Sequence, residues 1–588
     1  MKKRVISALL CTAMVASMLA GCGKDDKKSA SSGSKDGKYE DFITVDVYDE
    51  FANYQGLQSG WFAKIVKDKF NMELNIIAPN VAGGGDTLYQ TRSAAGDLGD
   101  LILVGTSNGK LNDIVSSGLL LDCTDLMDGK DIVENYGDAI DATNELVSED
   151  GMWAFPNSVS SNAATTPSEA LEPTFGPYIR WDYYTKLGYP KMADMDAFLD
   201  VMEDMQELAR QEEGTDDIYA FSFFKDWDAT MMNNAKQPAC MYGYDEIGFV
   251  LAKADGSDYQ DIVDSDSIYN DVLKLFFEAN QRGLVDPDST TQNYDTWSTK
   301  YTNGKTLYCP WPWVGQSLYN TAEHKAEGKG FMFAPVDDME IFSYGCCPIG
   351  NTQKVIAIGS QAEDPQRLAD FIDWLYSPEG VEINQQANNC AGPEGLTWEM
   401  VDGKPVKTEF GEKALPTNEV EVPEEWGGGN WKDGISALNF EAVSRVDIDP
   451  NTGEAYDWTL WDSTIESTTS PLEEDWREHM GANTTMEYLQ NNNLLMVAPG
   501  SDYTTPEEDS NITTVRGQCK AAVVDSSWKM IFAKDQEEFD KYLSEMQKTV
   551  KGLGYEDVLK VDMKNAKDQD AARKESAEKY STAKEVAE

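Results

Sequence analysis

Between Ile43 and Val104 the chain alternates between strand and helix patterns. "ITVDV" (43–47) switches between apolar and polar residues one at a time, the period of a half-buried strand. "GWFAKIVKDKF" follows, with Trp61, Ile65 and Phe70 near helical spacing. "MELNIIA" (72–78) and "DLILV" (100–104) are strand-like again, with room for a second helix between them. Strands joined by crossing helices lie parallel and need helices on the faces of their sheet. This points to an α/β fold.

The chain has 588 residues. It opens with Lys2, Lys3 and Arg4, then an apolar run from Val5 to Ala20. That run is shorter than the ~20 residues that span a bilayer. It ends in Leu19-Ala20-Gly21-Cys22, which resembles a bacterial lipobox. Residues 1–21 are expected to be a lipoprotein signal peptide and Cys22 the lipidated (palmitate-bearing) N-terminus. Residues 22–40 contain little that can pack, so a flexible tether is expected there. No later run reaches ~18 apolar residues. The rest is too long for one core, so two lobes are expected.

The net charge is −54, a surface that repels nucleic acid. Seven cysteines remain besides Cys11 and Cys22, an odd number at scattered spacings with no C-x-x-C. Buried free thiols suit that pattern better than a disulfide framework or a metal site. Three later helices are legible. One covers "DMDAFLDVMEDMQELARQ", with Met195, Phe198, Leu199, Met202 and Leu208 on one face. Another starts at Asp364 as N-cap with Pro365 at the first helical position. A third carries Phe539, Tyr542, Leu543, Met546 and Val550. Residues 564–588 are almost all polar and are expected to fray.

Catalytic signatures are weak. Only His324 and His479 exist, both in polar surroundings, which leaves little for a His-based triad or a His-ligated zinc. "GKT" (304–306) lacks the P-loop glycine, because Thr299 stands in its place. "DIDPNTGEAYD" (447–457) has Asp447, Asp449 and Asn451 in calcium-loop alternation. Thr452 occupies the glycine position, however, and Trp458 the final acidic one, so a turn is expected. No cofactor and no metal are expected.

Aromatics make up 11% of the chain, and many tryptophans fall in loop-like contexts, among them Trp227, Trp297, Trp426, Trp431, Trp458 and Trp461. "EEWGGGNWKDG" brackets a glycine run with two of them. Sugars, with apolar faces edged by hydroxyls, suit flat aromatics with polar neighbours. In "LYCPWPWVGQ" (307–316), Pro310 and Pro312 restrict the backbone toward an extended run entering a loop. Trp311 and Trp313 would then point to one side, either as two core aromatics at a strand end or as a stacking platform for a flat ligand.

Five segments in order resemble the extracellular solute-binding lipoproteins of carbohydrate ABC importers, especially LplA-like oligosaccharide binders of Gram-positive bacteria. They are "AAGDLGDLILVGTSNGKLNDIVSSGLLLDCTDLM", "GMWAFPNS", "PYIRWDYYTKLGYPKMADMDAFLDVMEDM", "GLVDPDSTTQNYDTWSTKYTNGK", and "DWLYSPEGVEINQQANNC" followed by "VDGKP". The resemblance implies a two-lobed periplasmic-binding-protein-like fold, with a hinge and the ligand between the lobes. It draws the first lobe as 41–156 and 336–395, and the second as 157–335 and 396–563. "GKTLYCPWPWVGQ" is also similar to a segment of maltose-binding protein whose first Trp stacks on sugar, which implies that role for Trp311. Trp313 and Trp431 are added as ligand-site candidates. The same likeness puts Thr106, Ser107 and Asn108, and Tyr48, Asp49 and Asn53, at the first lobe's rim of the cleft, with Arg180 beside the hinge. The calcium loop of several members has no counterpart after Gln211, and "VGTSNG" is less charged than its maltose-binding equivalent.

The resemblance implies a non-enzymatic receptor at the extracellular face of the membrane. It would capture an oligosaccharide and deliver it to ABC permease subunits, as a lipid-anchored monomer without nucleic-acid partners. A binding lipoprotein for peptides or another solute is the alternative, and a surface glycoside hydrolase a more remote one.

Overall fold

The computed structural model describes residues 38–81, 85–417 and 419–586. Residues 1–21, Cys22 and most of the tether lie outside them. The chain enters through strands β1 (Ile43–Asp49), β2 (Gly56–Leu57), β3 (Met72–Ile77), β4 (Leu101–Val104) and β5 (Phe155–Asn157). It then builds β6 (Tyr178–Arg180), β7 (Tyr308–Cys309) and β8 (Phe331–Phe333), and returns through β9 (Asn351–Ile358).

The first lobe is a six-stranded sheet in the order β2-β3-β1-β4-β9-β5. β1 runs parallel to β3, with Ile43 opposite Met72 and Tyr48 opposite Ile77, and parallel to β4. β9 is antiparallel to β4, with Val355 opposite Val104. Successive β1 residues serve opposite faces: Val45 and Val47 join one apolar cluster and Tyr48 the other. The second lobe is centred on the antiparallel set β7-β6-β8. Parallel bridges from Tyr219 to Thr306 and from Phe221 to Val285 extend it.

The expected helices form. α1 (Gly60–Phe70) buries Trp61, Ile65 and Phe70. α2 (Met195–Glu213) begins at Asp194, whose side chain accepts from Ala197 N. α3 (Pro312–Tyr319) replaces the extended run expected at the two tryptophans. Pro312 sits at its first position, where a missing N–H costs nothing, and Trp311 is its extended N-cap. The prolines therefore start a helix rather than prevent one. α4 (Pro365–Tyr376) is capped by Asp364, which accepts from Arg367 N. α5 (Asp462–Ser467) and α6 (Pro471–Met480) flank a late crossing between lobes. α7 (Ser510–Ile531), α8 (Gln536–Leu553) and α9 (Tyr555–Lys579) close the second lobe.

Three expectations change. Residues 396–467 belong with the first lobe, because Trp398, Trp431, Leu438 and Trp461 are buried in its core. Residues 336–344 belong with the second, where Val336, Ile341 and Phe342 are buried. The tail does not fray before Lys579. Buried Asp562 pairs with Arg516 at 2.6 Å, and Arg573 pairs with Asp245 at 3.0 Å, which anchors α9 although its own face is polar. The seven described cysteines are free thiols, and all but Cys347 are buried.

The lobes join through residues 158–165, 345–350 and 468–470, and residues 580–586 run back along the first of these. Asp447 fastens the hinge: its carboxylate accepts from Ser161 Oγ and Asn162 Nδ2, each at 2.8 Å, and also from Ser160 Oγ. Of the calcium-like alternation in this segment, Asp447 serves that junction, whereas Asp449 accepts from Asn451 N within its own turn. Among the described residues no helix is long and apolar enough to cross a membrane.

Candidate functional site

The hinge decides which strand ends look into the gap between the lobes. β9 leaves the second crossing at Asn351 and runs antiparallel to β4. The C-terminal ends of β4 and β1 therefore sit at the hinge end of the first sheet. In the second lobe, β6 comes in from the hinge at Gly176, whose N–H donates to Pro310 O. β7 and β8 are antiparallel to β6, so their C-terminal ends also face the hinge. The strand through Tyr219 to Phe221 runs parallel to β7 and delivers the 224–228 loop to the same end.

That end of the second lobe carries the aromatic residues. Trp313, on the first turn of α3, is 52% exposed. Its ring stacks on Trp227 with centroids 5.7 Å apart and planes at 24°. Trp227 in turn stacks on Tyr294 at 4.9 Å, also at 24°. Trp311 does something different. It is 2% exposed and meets Trp227 and Trp297 edge-on, at 5.4 and 5.9 Å. The two indoles diverge because an N-cap and the second residue of a helix point different ways, whereas an extended run would have aligned them. Trp311 supports the shelf from beneath, and Trp313 presents it.

Trp227 stood out in the sequence only as one of many loop tryptophans. Tyr294, which opens a helix of its own after Asn293, gave no signal. Their stacking depends on two chain segments and could not be read from either one.

The first-lobe candidates divide. Asn53 and Ser107 are exposed on the loops after β1 and β4. Thr106 is buried beneath them, and Asn108 lies in the single 3-10 turn Ser107–Gly109. Tyr54, a neighbour of Asn53, is an exposed aromatic on the same rim. Asp49 is fully buried. Its Oδ1 accepts from Phe51 N at 2.8 Å and Ala52 N at 3.0 Å, while Oδ2 has no partner among the described residues. Burial outweighs those two bonds and pushes its carboxyl up to about 7. Asp49 shapes the rim loop from below.

Two candidates lie elsewhere. Arg180 ends β6, the middle strand of its set, at the end away from the hinge. It is buried in a bidentate pair with Asp182 (2.8 Å for each bond), and its guanidinium lies over the Tyr319 ring. Trp431 is fully buried in the first-lobe core and stacks on Trp61 at 4.5 Å with planes at 7°. The glycine run beside it, Gly427 to Gly429, has positive φ throughout and turns the chain back to make that packing.

A pocket of about 990 Å³ lies on the first lobe between Lys64, Trp398 and Trp426. It draws on one lobe only, so closure of the lobes would not reach it. Among the described residues no group of His, Cys, Asp or Glu is placed to hold a metal.

No family model and no curated protein matches the chain. Solved structures do share its architecture. An EF-hand mutant of the S. pneumoniae ABC-transporter substrate binding protein FusA, in complex with fructo-nystose, aligns with a TM-score of 0.54 at 15% identity. That alignment covers 90% of this chain and 99% of that one. An HMO-binding, ABC-transporter-associated solute binding protein from Bifidobacterium longum infantis aligns at 0.53 and 15% identity, over 89% and 98% of the two chains. An extracellular solute-binding protein from Bifidobacterium longum subsp. infantis aligns at 0.53 and 13% identity, over 90% and 98%. The chain has the two-lobed fold of ABC-transporter solute-binding proteins.

Proposed function

We propose that this protein is a receptor that captures an oligosaccharide between its lobes and delivers it, chemically unchanged, to the permease of an ABC importer. The observation that carries this reading is the run of rings Tyr294–Trp227–Trp313 at the hinge end of the second lobe. An exposed tryptophan held by a stacked neighbour is a preorganised surface for the apolar face of a sugar. The first lobe offers Asn53, Ser107 and Tyr54 from the opposite side as hydroxyl partners and a further ring. Ligand bound to both faces would favour the closed arrangement of the hinge. Similar proteins are described as in complex with fructo-nystose or as HMO-binding, so oligosaccharides are the first ligands to test. Lipidation at Cys22 would hold the receptor, as a monomer, at the outer face of the membrane beside its permease.

The test is a thermal-shift screen across fructo-, xylo-, manno-, gluco- and galacto-oligosaccharides, with peptides as the contrasting set. At a hundredfold excess over Kd a specific ligand adds about 2.7 kcal/mol of stability. Stabilisation by peptides alone, or specific cleavage of a stabilising sugar, overturns the reading.

A further inference from the structure

The exposed face of α3 does not end at Trp313. Gln316, Ser317 and Asn320 continue it at helical spacing, Ser317 exposed and the other two half-buried. From Trp313 to Asn320 the helix rises about 10 Å, a span that one sugar ring does not bridge. At the far end lies a chamber of about 540 Å³ with walls from both lobes. The second lobe supplies this face of α3 and the start of α6. The first lobe supplies Trp458 and, from α5 onward, Thr464 and Thr468.

Two ion pairs already take up four of the charges around this chamber. Lys325 binds Glu473 at 2.7 Å, and Lys407 binds Glu412 at 3.2 Å. Arg477 donates to the carbonyls of Thr468 and Asn483. Three bases and three acids, counting Glu172, line the space, so it is electrically balanced within a chain of net charge −54. Three polar atoms of the lining remain unused, among them Oγ1 of Thr485. Thr464 is 4% exposed, and its Oγ1 has no partner among the described residues; Oε2 of Glu473 has none either. A buried hydroxyl and a buried carboxylate oxygen left without partners are costly, and a ligand rich in hydroxyls would satisfy both. An anionic ligand could reach Lys325 or Lys407 only by displacing Glu473 or Glu412.

We infer that this chamber is a second subsite, which takes a neutral, hydroxyl-rich unit of the same oligosaccharide whose other end lies on Trp313. The inference rests on the receptor reading and deepens it: the protein selects for chain length. A short sugar occupies the shelf alone. A longer one runs along the face of α3 and hydrogen-bonds Thr464 and Glu473. Because the chamber walls come from both lobes, the longer ligand also holds the lobes together more strongly.

The experiment uses the full chain and a disaccharide and tetrasaccharide from each neutral series in the screen, with Kd measured by calorimetry. Two variants address the chamber. Thr464→Val removes the hydroxyl at constant shape, and Ser317→Trp fills the space from an exposed position. Trp313→Ala addresses the shelf. The wild type should bind the tetrasaccharide of its preferred series more tightly than the disaccharide. Each chamber variant should weaken tetrasaccharide binding by about tenfold or more and leave disaccharide binding unchanged. Trp313→Ala should weaken both. Equal wild-type affinity for the two lengths, or chamber variants that shift both lengths alike or neither, overturns the subsite. If Trp313→Ala shifts neither while the chamber variants act as expected, the shelf falls and the chamber stands. If no sugar binds the wild type, both readings fall.

Discussion

The exposed indole of Trp313 lies over that of Trp227, 5.7 Å away, while Trp311, two residues earlier, is buried edge-on against the same ring. Trp313→Ala should therefore leave the fold intact and weaken ligand binding by about 2 kcal/mol, near thirtyfold in Kd. Trp311→Ala should cost about 3–5 kcal/mol of stability by opening a cavity. Urea melts without ligand and calorimetry with it separate the two. A stable Trp311→Ala protein with lost affinity would reverse the assignment.

Trp431 and Trp61 make a face-to-face pair inside the first lobe, and the Trp61 indole N–H donates to Trp431 O at 3.0 Å. Trp431→Ala should lose about 3–5 kcal/mol of stability. Ligand affinity of the folded fraction should not change, since this ring lies in the core. An unchanged melting temperature would show that the stack contributes little.

Asp49 makes stability depend on pH. Its folded carboxyl titrates at about 7, above the ordinary value of 3.8. Between those values the folded state holds a proton that the unfolded state has released, so stability falls as pH rises. The contribution is fully present below about 4 and lost by about 7, and it is worth at most about 4 kcal/mol. Asp49→Asn keeps an oxygen for Phe51 N and Ala52 N but cannot ionise. Its urea midpoints at pH 4.5 and 8 should differ less than those of the wild type. Parallel curves for the two proteins would remove Asp49 from this role.

Arg180 and Asp182 form a buried ion pair. Arg180→Ala strands the Asp182 carboxylate and should cost about 3–5 kcal/mol. Affinity should hold, because the pair lies away from the hinge end of β6. Selective loss of binding in a stable Arg180→Ala protein would return Arg180 to the site.

Cys22→Ala should release the protein into the medium or leave it unprocessed, since stable attachment needs two acyl chains. Metabolic labelling with palmitate reads this directly. Continued lipid labelling of the variant would place the anchor elsewhere.

The α/β class was legible because period-2 and period-3.6 patterns are local. Ile43 to Val104 and the capped helix after Asp364 could be read from neighbours in the sequence. The lobe boundaries were not local. Residues 396–467 carry apolar side chains that suit any core, and only three-dimensional packing assigned Trp398 and Trp461 to the first. The full length of α9 was not legible because its buried polar residues Asp562 and Arg573 are held by Arg516 and Asp245, remote in sequence. At the site, the sequence alone determined that two tryptophans flank Pro312. Whether that proline broke an extended run or began a helix depended on the residues after it finding a surface to pack against. Gly315 found one, against Cys309 and Phe331 of β8, with Val314 buried in the second-lobe core, and that packing set Trp311 inward and Trp313 outward.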